Sequence, residues 1–215
     1  MTNNIVLRSF SASFETREDG DNGIITGRPV VLNSRTNLGD WDEVIDGNAL
    51  AKTDLTDVRL CLNHDTSYVY ARSRRNNGNS TMTLGVDERG LTFDARLNIK
   101  GSPKAQDYYS AVTRGDMDKM SFMFTIDGYE WEDLESEHPT RRITSIGKIF
   151  EISCVTFPAY NDTSIEARSD DTLESVKREL ESLRQQRAEA LENAHKTTLG
   201  LARARYKYIT TKNGG

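Results

Sequence analysis

The sequence has few of the residues on which metal sites and disulfide frameworks depend. Of its 215 residues, two are cysteine and three are histidine. Cys61 and Cys154 both lie within apolar runs, so we expect buried, reduced thiols and not a disulfide-stapled secreted scaffold. His64, His138 and His195 are widely separated and have no close cysteine or histidine partner. This spacing predicts no structural zinc site and no other metal centre.

Long apolar runs and an excess of basic charge are also missing. No apolar stretch approaches the roughly 20 residues that a bilayer-spanning helix needs, so we expect no membrane insertion. The N-terminal segment has neither the basic start nor the apolar block of a secretory signal, and we therefore expect synthesis in the cytoplasm. The formal net charge of -5 disfavours nucleic-acid binding. No glycine-rich phosphate loop follows a strand-like run.

The residues that are present divide the chain near Arg168. Up to that point, short β-branched and aromatic runs alternate with Gly, Asn and Asp turns, which predicts a mainly β domain over residues 1–168. The clearest hairpin is TMTLGVDERGLTFDARL, where Gly90 can supply the positive φ of a tight turn. One helix is predicted in SPKAQDYYSAVTRGD, ending at Gly115. Its apolar positions at helical spacing are Ala105, Tyr108, Tyr109 and Val112.

Residues 169–215 are predicted to form a charged helical segment with a flexible tail, YITTKNGG. Asp171 followed by Glu174 is typical of a helix N-terminus. Apolar and small residues then recur at alternating steps of three and four, the pattern of a helix-pairing seam. The seam comprises Leu173, Val176, Leu180, Leu183, Arg187, Ala190 and Ala194. It favours an interaction segment, and the alternative is a solvated helix folded back on its own domain.

His64 directly follows the strand-like run RLCL. If the strand continued through it, alternation would place His64 on the face of Leu62 and opposite to Cys61. This geometry disfavours a Cys61 nucleophile served by His64. On this motif alone His64 is either a structural histidine, capped by Asp65 or a backbone carbonyl, or a general base.

Ser121 stands among Met120, Phe122, Met123 and Phe124. A serine there adds neither apolar burial nor turn chemistry unless its hydroxyl has a partner. It is either a small buried serine bonded to a neighbouring backbone carbonyl or a nucleophile. A serine nucleophile needs a general base within hydrogen-bond reach, and His64 is the candidate.

Glu151 and Ser153 alternate onto one face of the predicted strand FEISCVTF. A carboxylate in so apolar a segment should be paired, because an unpaired buried charge costs several kcal/mol. Its partner is either His64, whose tautomer it would hold, or a nearby cation. The candidate cations are Arg141, Arg142 and Lys148. Ser153 is a competing candidate for the nucleophile.

Four motifs in this order resemble the prohead proteases of tailed bacteriophages, the HK97-type serine peptidases. They are LNHD (62–65), RGLTFDARL (89–97), RGDMDKMSFMF (114–124) and FEISCVTFPAYNDTS (150–164). The resemblance implies a mainly β, herpesvirus-protease-like barrel with flanking helices (α+β), followed by the long C-terminal helix. Such enzymes cleave scaffold or the scaffold-like segment of the major capsid protein, and usually themselves. They do so inside the prohead, in the bacterial host cytoplasm.

Carried over by motif, the resemblance makes His64 the general base, Ser121 the nucleophile and Glu151 the orienting acidic residue. Herpesvirus enzymes have a second histidine at the third position. The implied reaction is peptide hydrolysis through an acyl-enzyme, with no metal or cofactor. The sequence departs from many relatives in having Met123 and Ala71 where they have glycine. These positions bear on the walls near the nucleophile and on the loop that leads away from His64.

Two further functions remain in competition. One is a non-catalytic capsid-assembly or scaffold-binding protein that has the same fold and docks through the C-terminal helix. The other is a cysteine peptidase that uses Cys154. The resemblance is compatible with a homo-oligomer, since herpesvirus relatives dimerise, and it implies self-cleavage, for which we predict the segment after His195. His138 and His195 match no motif and are expected to be structural or exposed.

Overall fold

Eleven strands and two helices make up residues 5–74, 79–156 and 170–212, which the computed structural model describes. The strands are β1 (Ile5–Ser11), β2 (Glu15–Asp19), β3 (Asn22–Val31), β4 (Arg35–Asn37), β5 (Asp42–Ile45), β6 (Asp57–Leu62), β7 (Ala71–Arg74), β8 (Met82–Asp87), β9 (Gly90–Asn98), β10 (Lys119–Glu132) and β11 (Thr140–Val155). The helices are α1 (Pro103–Thr113) and α2 (Asp170–Lys212). The predicted α+β class, mainly β with a long C-terminal helix, is confirmed.

The strands form a seven-stranded mixed sheet and a four-stranded antiparallel sheet. The smaller sheet has the order β2-β3-β9-β8. In the larger one, β11 pairs antiparallel with β10, while its first residues pair in parallel with β5 and its last residues with β6. The strands of the described residues form these two sheets and no closed barrel. The herpesvirus-protease-like barrel expected from the resemblance is therefore not confirmed in this part of the chain.

One hydrophobic core joins both sheets and α1. Its fully buried members include Ile25, Leu60, Leu91, Phe122, Phe124 and Ile152. Side chains alternate between the two faces of a strand, so the residues between these core positions lie on the opposite face of the larger sheet. This opposite face carries Ser121, Glu151 and Ser153, and we call it the site face.

The predicted hairpin and the predicted helix are both present. Gly90 has a φ of 136°, and a Cβ atom there would lie 2.0 Å from the carbonyl oxygen of Val30, so only glycine fits this turn. At the start of α1, the Ser102 side chain accepts a hydrogen bond from the third helical N–H, and Pro103 occupies the first turn. Gly115, with a φ of 77°, follows the helix end. All four predicted apolar positions of α1 are buried.

Residues 176–184 of α2 lie against the β10–β11 hairpin. Val176 and Leu180, both from the predicted seam, are buried. The Tyr129 hydroxyl donates a hydrogen bond of 2.6 Å to the Glu179 carboxylate. Arg184 donates to two backbone carbonyls of the β10–β11 connection. This part of α2 is therefore a helix folded back on its own domain, which was the alternative interpretation of the seam.

Further along, α2 leaves the domain surface. Leu191, Leu199 and Leu201 are 59%, 45% and 68% exposed. The helix continues to Lys212, so most of the segment predicted as a tail is helical, and only residues 213–215 lie outside the described residues. Neither described helix is long and apolar enough to cross a membrane.

A buried ionic network ties together β1, β5 and β11. The Arg8 guanidinium contacts both carboxylate oxygens of Glu43, and its Nη2 atom lies 2.8 Å from Oε2. Arg141 Nη1 lies 3.7 Å from the same oxygen. Burial lowers the pKa of Arg141, while the Glu43 carboxylate opposes that change. Two buried arginines thus share one carboxylate in the interior, and Arg141 also lies over the Tyr129 ring.

Candidate active site

Asn63 and His64, both in the left-handed backbone conformation, turn the chain at the end of β6. Their φ values are 48° and 62°, a region uncommon for residues other than glycine and most tolerated by asparagine. The Asn63 N–H donates to the Cys154 carbonyl at 3.0 Å, and its side-chain oxygen accepts from the Thr156 N–H at 3.0 Å. Because this turn interrupts strand alternation, His64 reaches the site face. Its predicted position on the face of Leu62 is wrong.

Glu151 and His64 form a close pair. The Glu151 side chain is 1% exposed, and its Oε1 atom lies 2.5 Å from His64 Nδ1. Asp65 does not cap the imidazole, because its carboxylate accepts hydrogen bonds from Ser67. The three cations proposed as alternatives have other partners: Arg141 pairs with Glu43, Arg142 with Glu132, and Lys148 with Asp54. Of the two interpretations of Glu151, the structure supports the histidine partner.

A β-bulge in β11 puts Glu151 on the site face. Met123 of β10 is opposite Glu151, but the next residue of β10 is opposite Ile149, so Phe150 has no partner in the register. Ile149 and Ile152 both point into the core, and the extra residue between them lets Glu151 face outward. Bulges of this kind often re-aim a side chain beside a functional site.

Ser121 is fully buried, opposite Ser153 of β11 and Ser9 of β1. Neither its Oγ atom nor His64 Nε2 has a hydrogen-bond partner among the described residues. The hydroxyl therefore lacks the carbonyl bond that a merely structural serine would make. Buried polar atoms without partners are rare in folded proteins. Here both belong to the expected nucleophile and base, and catalytic hydrogen bonds often form or become aligned only when substrate binds.

Ser153 connects the other parts of this arrangement. Its Oγ atom accepts a 3.1 Å hydrogen bond from the His64 N–H and donates a 2.6 Å hydrogen bond to Glu151 Oε2. The sequence suggested Ser153 as a rival nucleophile and gave no indication of this linking position. Its alternation with Glu151 was the one available signal that the two side chains share a face.

The two thiols are poor nucleophiles in this structure. Burial raises the pKa of Cys61 to about 12, and the nearby Glu151 carboxylate contributes to the rise. Burial likewise raises the pKa of Cys154 to about 12. The reactive form of cysteine is the thiolate, which is scarce at neutral pH for such groups. Cys154 also lies in the hydrophobic core, on the sheet face opposite to His64, so the structure opposes the cysteine-peptidase interpretation that uses it.

The remaining histidines lie away from this site. His138 Nε2 is 2.9 Å from Asp42 Oδ1, near the start of β11, whereas Glu151 is near its end. His195 is exposed on α2. Within the described ranges, no three His, Cys, Asp or Glu side chains are grouped so that they could hold a metal ion.

The two departures from the family pattern occupy different surroundings. Met123 is half-buried and directly opposite Glu151, so it forms part of the wall beside the carboxylate. Ala71 is buried in the core on β7, opposite Leu60. Neither residue replaces a group that takes part in the arrangement of Ser121, His64 and Glu151.

Comparison with known families identifies the family of the chain. The model of the caudovirus prohead serine protease family matches residues 12–179, which include all the strands from β2 to β11 and the first turns of α2. No curated protein and no solved structure gives a significant match. A family match over most of the chain is sufficient to assign it. The chain belongs to the caudovirus prohead serine protease family, whose members are serine peptidases of phage capsid maturation.

Proposed function

We propose that the chain is a serine endopeptidase that cleaves scaffold, or the scaffold-like segment of the major capsid protein, inside the prohead in the host cytoplasm. Ser121 is the nucleophile, His64 the general base and Glu151 the orienting acid. One observation carries this proposal. A buried carboxylate holds Nδ1 of the imidazole, while Nε2 and the Ser121 hydroxyl are left without partners.

The proposed reaction passes through an acyl-enzyme. Ser121 Oγ attacks the scissile carbonyl as its proton moves to His64 Nε2, and the Glu151 carboxylate stabilises the imidazolium that forms. The leaving amine takes that proton when the peptide bond breaks. Water then releases the acyl group, with His64 again acting as base. Backbone N–H groups near Ser121 hold the oxyanion, and no step requires a metal or cofactor.

Three further parts of the proposal rest on the sequence resemblance. They are a fold relationship to the herpesvirus assemblins, assembly into a homo-oligomer, and cleavage of the chain by itself after His195. The exposure of α2 around Leu199 and Leu201 supports the last of these, since proteases cut most readily where the backbone has few tertiary contacts.

The test is co-expression with the neighbouring capsid and scaffold proteins, followed by intact mass spectrometry of every chain. The wild type is expected to give fragments that are absent with Ser121→Ala and His64→Ala. Ser11→Ala is the matched control, because Ser11 is an exposed serine on β1 and should leave cleavage unchanged. Processing by Ser121→Ala at the wild-type rate would exclude Ser121 as the nucleophile.

The competing function is a non-catalytic assembly protein that docks on scaffold through α2. The exposed leucines of α2 support a docking role, and such a role is also compatible with recruitment of an active protease. Intact capsid and scaffold chains with both the wild type and Ser121→Ala would favour this second function.

A further inference from the structure

Ser153 occupies a position that would normally favour an apolar residue. It is fully buried, between Ser121 of β10 and Cys61 of β6 in the sheet register. A buried hydroxyl without partners costs free energy, so a serine here should form hydrogen bonds. It forms two, and both reach residues of the proposed catalytic machinery.

The hydrogen bonds of Ser153 fix the direction of its proton. The Oγ atom accepts the His64 N–H at 3.1 Å, and its single proton goes to Glu151 Oε2 at 2.6 Å. Since a carboxylate and an N–H group cannot exchange these roles, the hydroxyl has one orientation. The other carboxylate oxygen, Oε1, contacts His64 Nδ1. The main chain and ring of His64 are therefore both tied to Glu151, one through Ser153 and one directly.

These bonds constrain the backbone of His64 and the terminal torsion of the Glu151 side chain. His64 has a φ of 62°, a left-handed conformation that is unfavourable for a histidine unless its surroundings compensate. The bond from its N–H to Ser153 supplies part of that compensation. The terminal torsion of a glutamate is broad, and an oxygen anchored on Ser153 restricts it. A restricted carboxylate presents Oε1 to Nδ1 and leaves Nε2 free to accept the proton of Ser121.

We infer that Ser153 is a positioning residue that holds the general base His64 and the Glu151 carboxylate in fixed relative positions, and that it is not a nucleophile. This inference rests on the proposed function, because it assigns Ser153 a role in presenting His64 to Ser121. The proton of Ser153 is committed to Glu151, and one of its lone pairs to the His64 N–H. Ser121 Oγ, in contrast, has no partner among the described residues.

The decisive comparison is Ser153→Thr against Ser153→Val. Both variants add a methyl group to Cβ and are close in size and shape, and they differ in that valine has a second methyl group where threonine keeps the hydroxyl. We expect Ser153→Val to lower kcat by about 10- to 100-fold with little change in KM, as for a small misplacement of catalytic groups. Ser153→Thr should keep a kcat much closer to that of the wild type. Equal activity of the two variants, in protein that unfolds at the same temperature, would overturn the inference.

A second readout follows the His64–Glu151 contact itself. In a Ser121→Ala background, which prevents self-cleavage, the Nδ1 proton of His64 should give a low-field NMR resonance. We expect that resonance in the Ser153→Thr variant. In the Ser153→Val variant the resonance should shift, or disappear because the proton exchanges with solvent. A purely structural serine would leave it unchanged in both, and that result would contradict the positioning role.

Labelling with a fluorophosphonate separates this inference from the proposed function. The attacking serine oxygen displaces fluoride from phosphorus, and peptide mass spectrometry locates the adduct. An adduct on Ser121 with no difference between the Thr and Val variants would refute the positioning role alone. An adduct on Ser153 would refute both the positioning role and the assignment of Ser121.

Discussion

Replacing Glu151 by glutamine should disable the site while keeping its shape. The variant keeps the size of the side chain but turns one oxygen into an NH₂ group. Ser153 accepts the His64 N–H and must donate its proton to the group at Oε2, so the amide oxygen should take that position. The NH₂ group then faces His64 Nδ1 and donates to it. This arrangement places the imidazole proton on Nε2. With Nε2 protonated, His64 cannot accept the proton of Ser121.

The expected loss follows from that change of tautomer. An equivalent amide substitution in the Ser-His-Asp template lowers kcat by about 10⁴-fold. At 1.36 kcal/mol per factor of ten, this corresponds to roughly 5.4 kcal/mol of lost transition-state stabilisation. The assay is hydrolysis of a synthetic peptide that spans the cleavage site found by co-expression, with kcat and KM measured separately. KM should change little, because Glu151 is 1% exposed and does not reach substrate.

Glu132→Gln is the matched control for this prediction. Glu132 is a carboxylate on β10 that pairs with Arg142 and is 40% exposed, so its substitution should leave kcat within about twofold. A kcat for Glu151→Gln within about threefold of wild type would refute the orienting role. Glu151→Ala adds a further check, since it supplies no donor to Nδ1 and so does not impose the wrong tautomer. Glu151→Gln should therefore be at least as inactive as Glu151→Ala.

Three other predictions concern stability, thiol chemistry and α2. Glu43→Gln leaves two buried arginines without their carboxylate and should cost about 3–5 kcal/mol in the free energy of unfolding, measured with urea in an inactive background. Iodoacetamide at pH 8 should neither label Cys61 in the folded protein nor lower its activity, because burial keeps the thiol protonated; rapid labelling with loss of activity would contradict this. A chain cut after Ala188 should keep peptide cleavage, whereas a cut at Arg168 removes the buried Val176 and Leu180 and should lower the unfolding temperature by several degrees.

The candidate members of the site could be named from sequence, but their geometry could not. Motif order identified Ser121, His64 and Glu151 as a set, and the structure brings His64 and Glu151 into contact. Strand alternation failed at His64 because it assumes an extended backbone, whereas Asn63 and His64 adopt positive φ. The tolerance of asparagine for that conformation was the one local signal of a turn.

Features that depend on long-range contacts could not be predicted from the sequence patterns either. The β8–β9 hairpin and α1 depend on neighbouring residues and were predicted correctly. The division of β11 between β5 and β6 depends on strands about 90 residues away, and strand periodicity does not name a partner. A helical seam has the same sequence pattern whether it packs on its own domain or on another chain, so the pattern of α2 could not show that Val176 and Leu180 are buried within this chain.

The parallel pairing of β6 with β11 has a consequence for the timing of the first cut. The β10–β11 hairpin is a local structure, and it already carries Ser121, the proposed nucleophile, and the Glu151 carboxylate. The base arrives only when residues 59–62 align with residues 151–154, a contact across most of the domain that forms slowly. On the proposed mechanism, a nascent or partly folded chain therefore has two of the three catalytic groups and should not hydrolyse its neighbours. Completion of folding would then itself start proteolysis.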